Sequence, residues 1–272
     1  LRSILSTLEE CCDFSNSEER AIEIDPRTVV EDEGAKLKLL RSLGFDRVSF
    51  GVQDTSQEVQ EVVKRRQTME MTTKTFHWSK DLGFKSINID LIYGLPKQNL
   101  ESFSKTIDDI LDLRPDRIAL FSFAYVPWIA THQKALKEDT LPSTQEKFEI
   151  YLQARKQLTQ AGYLAIGMDH FALEDDGLAV NYKNKTLKRN FMGYTTCPTQ
   201  DLIGCGHFAI GYVQGGYFQN AKTLPEYYSS LDQGNLPTKA GKILSEDDLI
   251  RRWVIEQLMC NFEIDKQLFE EL

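Results

Sequence analysis

Asn88-Ile89-Asp90-Leu91-Ile92-Tyr93-Gly94-Leu95-Pro96 is the stretch whose reading decides the fold. It is short, mostly apolar and rich in Ile, and it lies between Gly83-Phe84 and Gly94, so it reads as a buried strand too brief for an ordinary helix. A carboxylate inside such a strand costs several kcal/mol unless it is hydrogen-bonded or faces a cleft. Asp90 therefore marks either a structural task or a site. Outward from this strand a unit recurs. A helix-period segment from Thr28 to Leu43 ends at Gly44-Phe45 and leads into a strand at Arg47–Val52; a second, Thr72 to Leu82, ends at Gly83-Phe84 and leads into Ile87–Tyr93. A third, Leu100 to Leu113, ends at Arg114-Pro115-Asp116 before Arg117–Phe123, and a fourth, Ser143 to Ala161, ends at Gly162-Tyr163 before Leu164–Met168. Three of the four stop at a Gly followed by an aromatic, the signature of a left-handed C′ glycine with a hydrophobic residue behind it.

Helix and strand in alternation imply crossover connections and a parallel sheet, either doubly wound or closed into a (β/α) barrel. No GxGxxG or GxxxxGK[ST] follows any strand, which removes the usual nucleotide-binding fingerprints and favours the barrel. The chain has 272 residues, 41% hydrophobic and 27% charged, enough for one large domain or two smaller ones. A net charge of −9 argues against nucleic acid as a partner, because phosphates are repelled on average. No run of about 18 apolar residues and no signal-like start occurs, so neither membrane insertion nor secretion is expected. Cys11, Cys12, Cys197, Cys205 and Cys260 form no CxxC pair, which fits a reducing cytoplasm better than a disulfide framework or a zinc site.

In barrel enzymes the C-terminal ends of the strands carry the chemistry. Here those ends offer Glu23, Gln53 with Asp54, Asp90, Ser122 with Ala124, and Asp169-His170. Any one of them could merely cap a loop. Five in register point to a site. Two carboxylates, a Gln and Arg65 or Arg66 suit a zwitterionic amino acid, a sugar or a metal. A metal is disfavoured because His77, His132, His170 and His207 have no ligand spacing. Asp169 and His170 are a candidate acid/base pair.

Five segments carry a resemblance: Glu23-Ile24-Asp25-Pro26, Gly51-Val52-Gln53-Asp54, Asn88 to Pro96, Gly167-Met168-Asp169-His170-Phe171, and Arg189-Asn190-Phe191-Met192-Gly193-Tyr194-Thr195-Thr196. Together they resemble the oxygen-independent coproporphyrinogen III oxidases, radical S-adenosylmethionine enzymes of haem synthesis, over essentially the whole chain. The resemblance implies an incomplete (β/α) barrel with a mostly helical C-terminal extension, divided here as 1–169 and 170–272. It also implies S-adenosylmethionine and a 4Fe-4S cluster, with a 5′-deoxyadenosyl radical converting two propionates of coproporphyrinogen III to vinyl groups. Carried over by motif, Glu23, Gln53, Arg65 and Asp90 hold a first S-adenosylmethionine, while Ala124, Met192 and Ile210 sit by a second. Asp90 and Gln53 suit ribose hydroxyls, Glu23 the ammonium, and Arg65 the carboxylate. Asp169, His170, Lys188, Arg189 and Tyr194 are the candidate substrate residues, Lys188-Arg189 being the basic patch that an acidic protein needs for a tetrapropionate. A reductant is the further partner, and a monomer in the cytoplasm is expected.

Two departures stand out. The CxxxCxxC loop that ligates the cluster in this family does not occur in the sequence, and residue 192 is Met where the family has Gln. The chain begins within an amphipathic pattern (Leu1, Ile4, Leu5, Leu8) and stops at Leu272 within another, so the cluster loop and first two strands are expected to precede it in a longer protein, and this piece alone is expected to be inactive. The alternative is a non-catalytic haem- or porphyrin-binding protein on the same scaffold. Beyond Phe171 the rhythm stops. Asp201–Tyr217, with five glycines, suggests a Gly-broken hairpin or close backbone approach; Thr223 and Ser245 read as helix caps.

Overall fold

The computed structural model describes residues 1–197 and 201–270. The chain divides into two compact units, Leu1–Ala179 and Val180–Leu272, taken here one at a time. The first runs α1 (Arg2–Cys11), β1 (Ala21–Ile24), α2 (Pro26–Val30), α3 (Ala35–Ser42), β2 (Arg47–Gln53), α4 (Gln57–Val62), α5 (Met69–Asp81), β3 (Ser86–Tyr93), α6 (Leu100–Leu113), β4 (Arg117–Ser122), α7 (Thr144–Gln160), β5 (Leu164–Ile166) and β6 (His170–Ala172), with α8 (Gly177–Lys183) at the boundary. Strands β1 to β4 are parallel neighbours in a six-stranded sheet of order β1-β2-β3-β4-β6-β5. This is a mixed α/β fold of the partial (β/α) barrel kind.

The helix ends follow from the Gly-aromatic pairs. Gly44, Gly83 and Gly162 have φ of 82°, 75° and 92°. Behind them the amides of Phe45, Phe84 and Tyr163 reach back to the carbonyls of Leu40, Ser79 and Leu158, each at 3.1 Å, and all three rings are buried. Nothing lies within 4 Å of a Cβ built on Gly83. Gly83→Ala therefore tests backbone conformation alone, and a loss of about 1 kcal/mol is expected in urea unfolding.

Three details differ from the sequence reading. The segment Thr28–Leu43 is two helices, because Glu33 (φ 53°) and Gly34 (φ 79°) break it into α2 and α3. The strand expected at Leu164–Met168 ends at Ile166 and does not pair in parallel with β4; the hairpin strand β6 lies between them, antiparallel to both. Gly167, at φ 57°, opens that hairpin. Because β6 joins β4, Asp169-His170 arrive on a returning strand and not at the end of a parallel one, and the first unit extends to Ala179.

Alternation sorts the strands into two faces. Val48, Phe50 and Val52 of β2, with Ile87, Ile89 and Leu91 of β3, are at most 1% exposed and join the core beneath the helices. The opposite face is polar. Register pairs Glu23 with Ser49, Ser49 with Asn88, Gly51 with Asp90, Asp90 with Ala119 and Ala119 with His170, which lines these positions up across the sheet.

The second unit contains the hairpin β7 (Lys188–Asn190) and β8 (Gly193–Thr195), then β9 (Ile210–Val213) and β10 (Gly216–Asn220), which with β11 (Thr238–Ile243) form an antiparallel sheet. Gln214 and Gly215, both at positive φ, make the β9–β10 turn. A Cβ on Gly211 would fall 2.1 Å from Phe218, so that glycine serves close approach. Helices α9 (Leu224–Asp232), α10 (Glu246–Asn261) and α11 (Lys266–Glu270) complete it, α9 capped by Thr223 and α10 opened by a Ser245/Asp248 capping box. The end of the apparent terminal helix at Leu272 lies outside the described residues.

Candidate active site at the strand ends

In the first unit, Asp90 is half-buried on β3, accepting from Asn88 Nδ2 at 2.6 Å and Ser49 Oγ at 3.1 Å. Burial pushes its pKa up, the two hydrogen bonds pull it down, Glu23 raises it further and His170 lowers it. Asp90 thus lies within electrostatic reach of Glu23, which is exposed at the end of β1.

Gln53 ends β2 in the left-handed region, at φ 71°, after a register shift between Gly51 and Gln53. Such a bulge re-aims a side chain and costs roughly 1–3 kcal/mol in a non-glycine residue, so it persists where surrounding contacts over-determine it. Its Oε1 is buried with no hydrogen-bond partner.

Arg65 reaches the same place by a turn that sequence reading leaves open. Lys64 closes α4 at φ 55°, and the Arg65 amide reaches back to the carbonyl of Gln60 at 2.8 Å, as in a glycine-ended helix. The guanidinium is turned inward: it donates to the Gly51 carbonyl and to Gln67 Oε1 (3.2 Å) and stands 3.7 Å from Asp25. Its Nε is buried without a partner. Arg27, hydrogen-bonded to Asp25, holds that carboxyl below the usual range. Gly51 forms the floor of this corner, since a Cβ there would lie 2.8 Å from Gln53 Nε2 and 3.3 Å from Arg65 Nη2.

These residues fit a zwitterionic nucleoside. Gln53 and Arg65, whose side chains meet over Gly51, each bury one polar atom without a partner, Oε1 and Nε, and Asp90 is a carboxylate with a raised pKa within electrostatic reach of the exposed Glu23. Buried polar atoms are normally paired, so these two atoms are candidate ligand positions. A cluster is a different matter. The five cysteines are free and scattered, and among the described residues no three His, Cys, Asp or Glu side chains are arranged to hold a metal ion.

Nearby, His170 Nδ1 and Asp169 Oδ1, the candidate acid/base pair, are 2.7 Å apart, with Phe121 edge-on to the imidazole. Ala124 is exposed beyond β4, its carbonyl accepting from Gln133. Lys147 was not anticipated: its Nζ donates to the Phe123 carbonyl, stands over the Tyr93 ring at 5.7 Å, and is pulled below the ordinary lysine range by burial.

In the second unit, Met192 is 82% exposed at the tip of the β7–β8 turn, which Asn190 sets by accepting from the Met192 amide at 2.8 Å. Ile210, at the start of β9, is half-buried. Of the candidate substrate residues, Tyr194 is buried and donates its hydroxyl to the Met259 carbonyl at 2.9 Å, and Lys188 is paired with Glu256 at 2.7 Å. Arg189 is exposed over the Tyr194 ring. Beside it a cavity of about 560 Å³ is lined by Phe191, Tyr212, Tyr217 and Arg252, whose guanidinium lies 3.9 Å from the Tyr212 ring centroid.

A mainly parallel sheet with a polar corner at its strand ends places the chain among partial-barrel α/β proteins. Residues 5–110 match the model of the Radical SAM superfamily. It is 45% identical over 267 residues to the oxygen-independent coproporphyrinogen III oxidase of Synechocystis, covering 98% of this chain and 57% of that enzyme. The oxidase of Salmonella typhimurium is 44% identical over 268 residues, covering 98% and 58%. The solved structure of the Escherichia coli coproporphyrinogen III oxidase, a radical SAM enzyme, superposes with a TM-score of 0.95 at 43% identity, over 99% of this chain and 62% of that one. The chain spans somewhat over half the length of these relatives. No helix among the described residues is long and apolar enough to cross a membrane.

Proposed function

We propose that the protein of which this chain is part is an oxygen-independent coproporphyrinogen III oxidase, decarboxylating two propionates of its substrate to vinyl groups to give protoporphyrinogen IX. The observation that carries this reading is likeness to such oxidases along nearly the whole chain, at 45% identity in one case. The orphaned Gln53 Oε1 and Arg65 Nε support it independently.

When bound, S-adenosylmethionine supplies the hydrogen-abstracting chemistry of the superfamily. This chain's own residues bind and orient. Asp90 and Gln53 take the ribose hydroxyls, Glu23 the ammonium, and Arg65 directs its free Nε–H at the carboxylate. The cysteines present do not fit a cluster, so no step is assigned to one here. With Lys188 committed to Glu256, Arg189 and Arg252, beside the aromatic cavity, are the cations assigned to substrate propionates. A separate reductant completes the reaction, and the protein acts as a monomer.

The test is anaerobic turnover of coproporphyrinogen III by the full-length protein, reconstituted with iron and sulfide and supplied with S-adenosylmethionine and reductant. Protoporphyrinogen IX is the expected product. A formed cluster and tight haem binding without decarboxylation would overturn the reading in favour of a haem-binding protein, the direction in which Met192, in place of an amide, points.

A further inference from the structure

We propose that Asp54 and Gln98 are positioning residues: a buried carboxylate–carboxamide clamp that fixes the turn carrying Gln53 against the turn that follows Asp90. The proposal rests on the reading of Gln53 and Asp90 as S-adenosylmethionine ligands, and it assigns a task to Asp54, a strand-end carboxylate that the binding reading leaves unused.

Both residues are buried, Asp54 at 1% and Gln98 at 5% exposure. Every side-chain polar atom of the pair is committed. Asp54 Oδ1 accepts from the Ser56 amide at 2.6 Å and Thr106 Oγ1 at 3.0 Å, and Oδ2 accepts from Gln98 Nε2. Its backbone carbonyl accepts from Gln60 Nε2 at 2.6 Å, and its amide donates to the Val52 carbonyl at 2.9 Å. Gln98 Oε1 accepts from the amides of Gly94 (2.6 Å) and Leu95 (2.9 Å), while Nε2 also donates to the Ile92 carbonyl at 2.8 Å. All four hydrogen-bonding positions of the carboxamide are thus filled, and its orientation is unambiguous because the reverse would face two N–H groups with a third donor.

Chain position turns this network into a positioning device. Asp54 directly follows Gln53, whose left-handed φ and register shift aim its amide into the corner with Arg65. Gln98 grips Ile92, Gly94 and Leu95, the residues that lead out of the strand carrying Asp90. Without the clamp, Gln53 is free to relax toward extended backbone and the Gly94 turn to drift from it, so the two ligand residues lose their fixed separation. All side-chain partners of the Asp54 carboxylate are donors, so it serves as an anion although burial pushes its pKa up.

The test exchanges the partners in the full-length, cluster-loaded protein and reads equilibrium S-adenosylmethionine affinity, at a temperature where each variant is fully folded, alongside melting temperature. Gln98→Glu sets acceptor against acceptor, and Asp54→Asn sets donor against donor. Each is expected to weaken affinity on the order of tenfold in folded protein, the size seen when groups that orient a ligand-binding residue are lost. The double exchange D54N/Q98E reverses the hydrogen bond at constant charge and is expected to recover most of the lost affinity, short of full recovery because the Ile92 carbonyl loses its donor. Thr106→Val, which removes one donor from Asp54, is the milder variant should the exchanges not fold, with a smaller loss in the same direction. Gln53→Ala and Asp90→Asn run beside them. Loss in those two with unchanged affinity in the folded clamp variants would overturn the clamp alone; unchanged affinity in those two would overturn the ligand reading and the clamp with it.

Discussion

Asp90→Asn is expected to weaken S-adenosylmethionine binding on the order of a hundredfold while leaving the ligand-free protein more stable at neutral pH than the parent. The first effect follows from charge-assisted hydrogen bonds, worth about 1.5–3 kcal/mol each against about 1 kcal/mol for neutral ones, so two ribose hydroxyls facing an amide in place of a carboxylate lose about 3 kcal/mol. The second follows from burial, which raises the Asp90 pKa above 3.8 against the pull of Ser49, Asn88 and His170. A carboxyl raised in the folded state holds a proton that the unfolded chain has released, so stability falls as pH rises from 3.8 through the folded value, and the cost stays in force at neutrality. Asn removes that cost and keeps partners, since its oxygen can accept from Asn88 and its amide can donate to Ser49. Urea unfolding across that pH range should therefore show a flatter profile for Asp90→Asn, and calorimetric titration of the full-length protein should show the affinity loss. Affinity in the parent should fall as pH drops into the same window. A variant that binds as the parent does would remove Asp90 from the ribose.

Opposite signs for function and stability at one residue explain why Asp90 was legible in the sequence. A charged side chain inside an Ile-rich strand violates the pattern around it, and such violations collect at sites. The Gly-aromatic helix ends were legible for a related reason: Gly44, Gly83 and Gly162 take φ values that ordinary residues avoid, so residue type carries the conformation. Where the chain reaches the same conformation without glycine, the signal disappears. Glu33 breaks one expected helix in two, and Lys64 closes α4 so that Arg65 turns inward, yet both read as surface charges. The remaining misses are long-range. Gln98 meets Asp54 across 44 positions, and β6 inserts between β4 and β5 through a three-residue pairing too short to carry periodicity. Neither a polar residue ahead of a helix nor a brief apolar triplet announces its partner; only the folded chain brings them together.

The other end of the same sheet face supplies the largest expected loss of stability, Arg117→Met at about 3–5 kcal/mol, the range found when one partner of a buried ion pair is removed. Arg117 opens β4 and is 4% exposed, and its Nε lies 2.6 and 2.7 Å from the two oxygens of Asp176, itself 8% exposed. Ser86 Oγ at 3.1 Å and the Leu178 amide at 2.8 Å complete the shell of that carboxylate. Met keeps much of the arginine's volume, so the loss measures an unpaired buried charge and not a cavity. Two neutral donors remain hydrogen-bonded to Asp176 and Arg47 acts on it through space alone, too little to replace the guanidinium. The companion double variant R117M/D176L is expected to recover most of the stability, because an apolar pair of similar volume avoids desolvating two ions, although the Leu178 amide then lacks its acceptor. The check is the urea midpoint at constant m-value. A cost for Arg117→Met below about 1 kcal/mol would mean that water reaches the pair and screens it as it would at a surface. Asp176 and Asp90 thus divide the polar face of one sheet by how completely each is satisfied. The carboxylate near the N-terminal ends of the strands has a cation and a full set of donors and holds the fold. The one toward the C-terminal ends has two neutral donors and no cation bonded to it, and on the proposed reading a ligand supplies what it lacks.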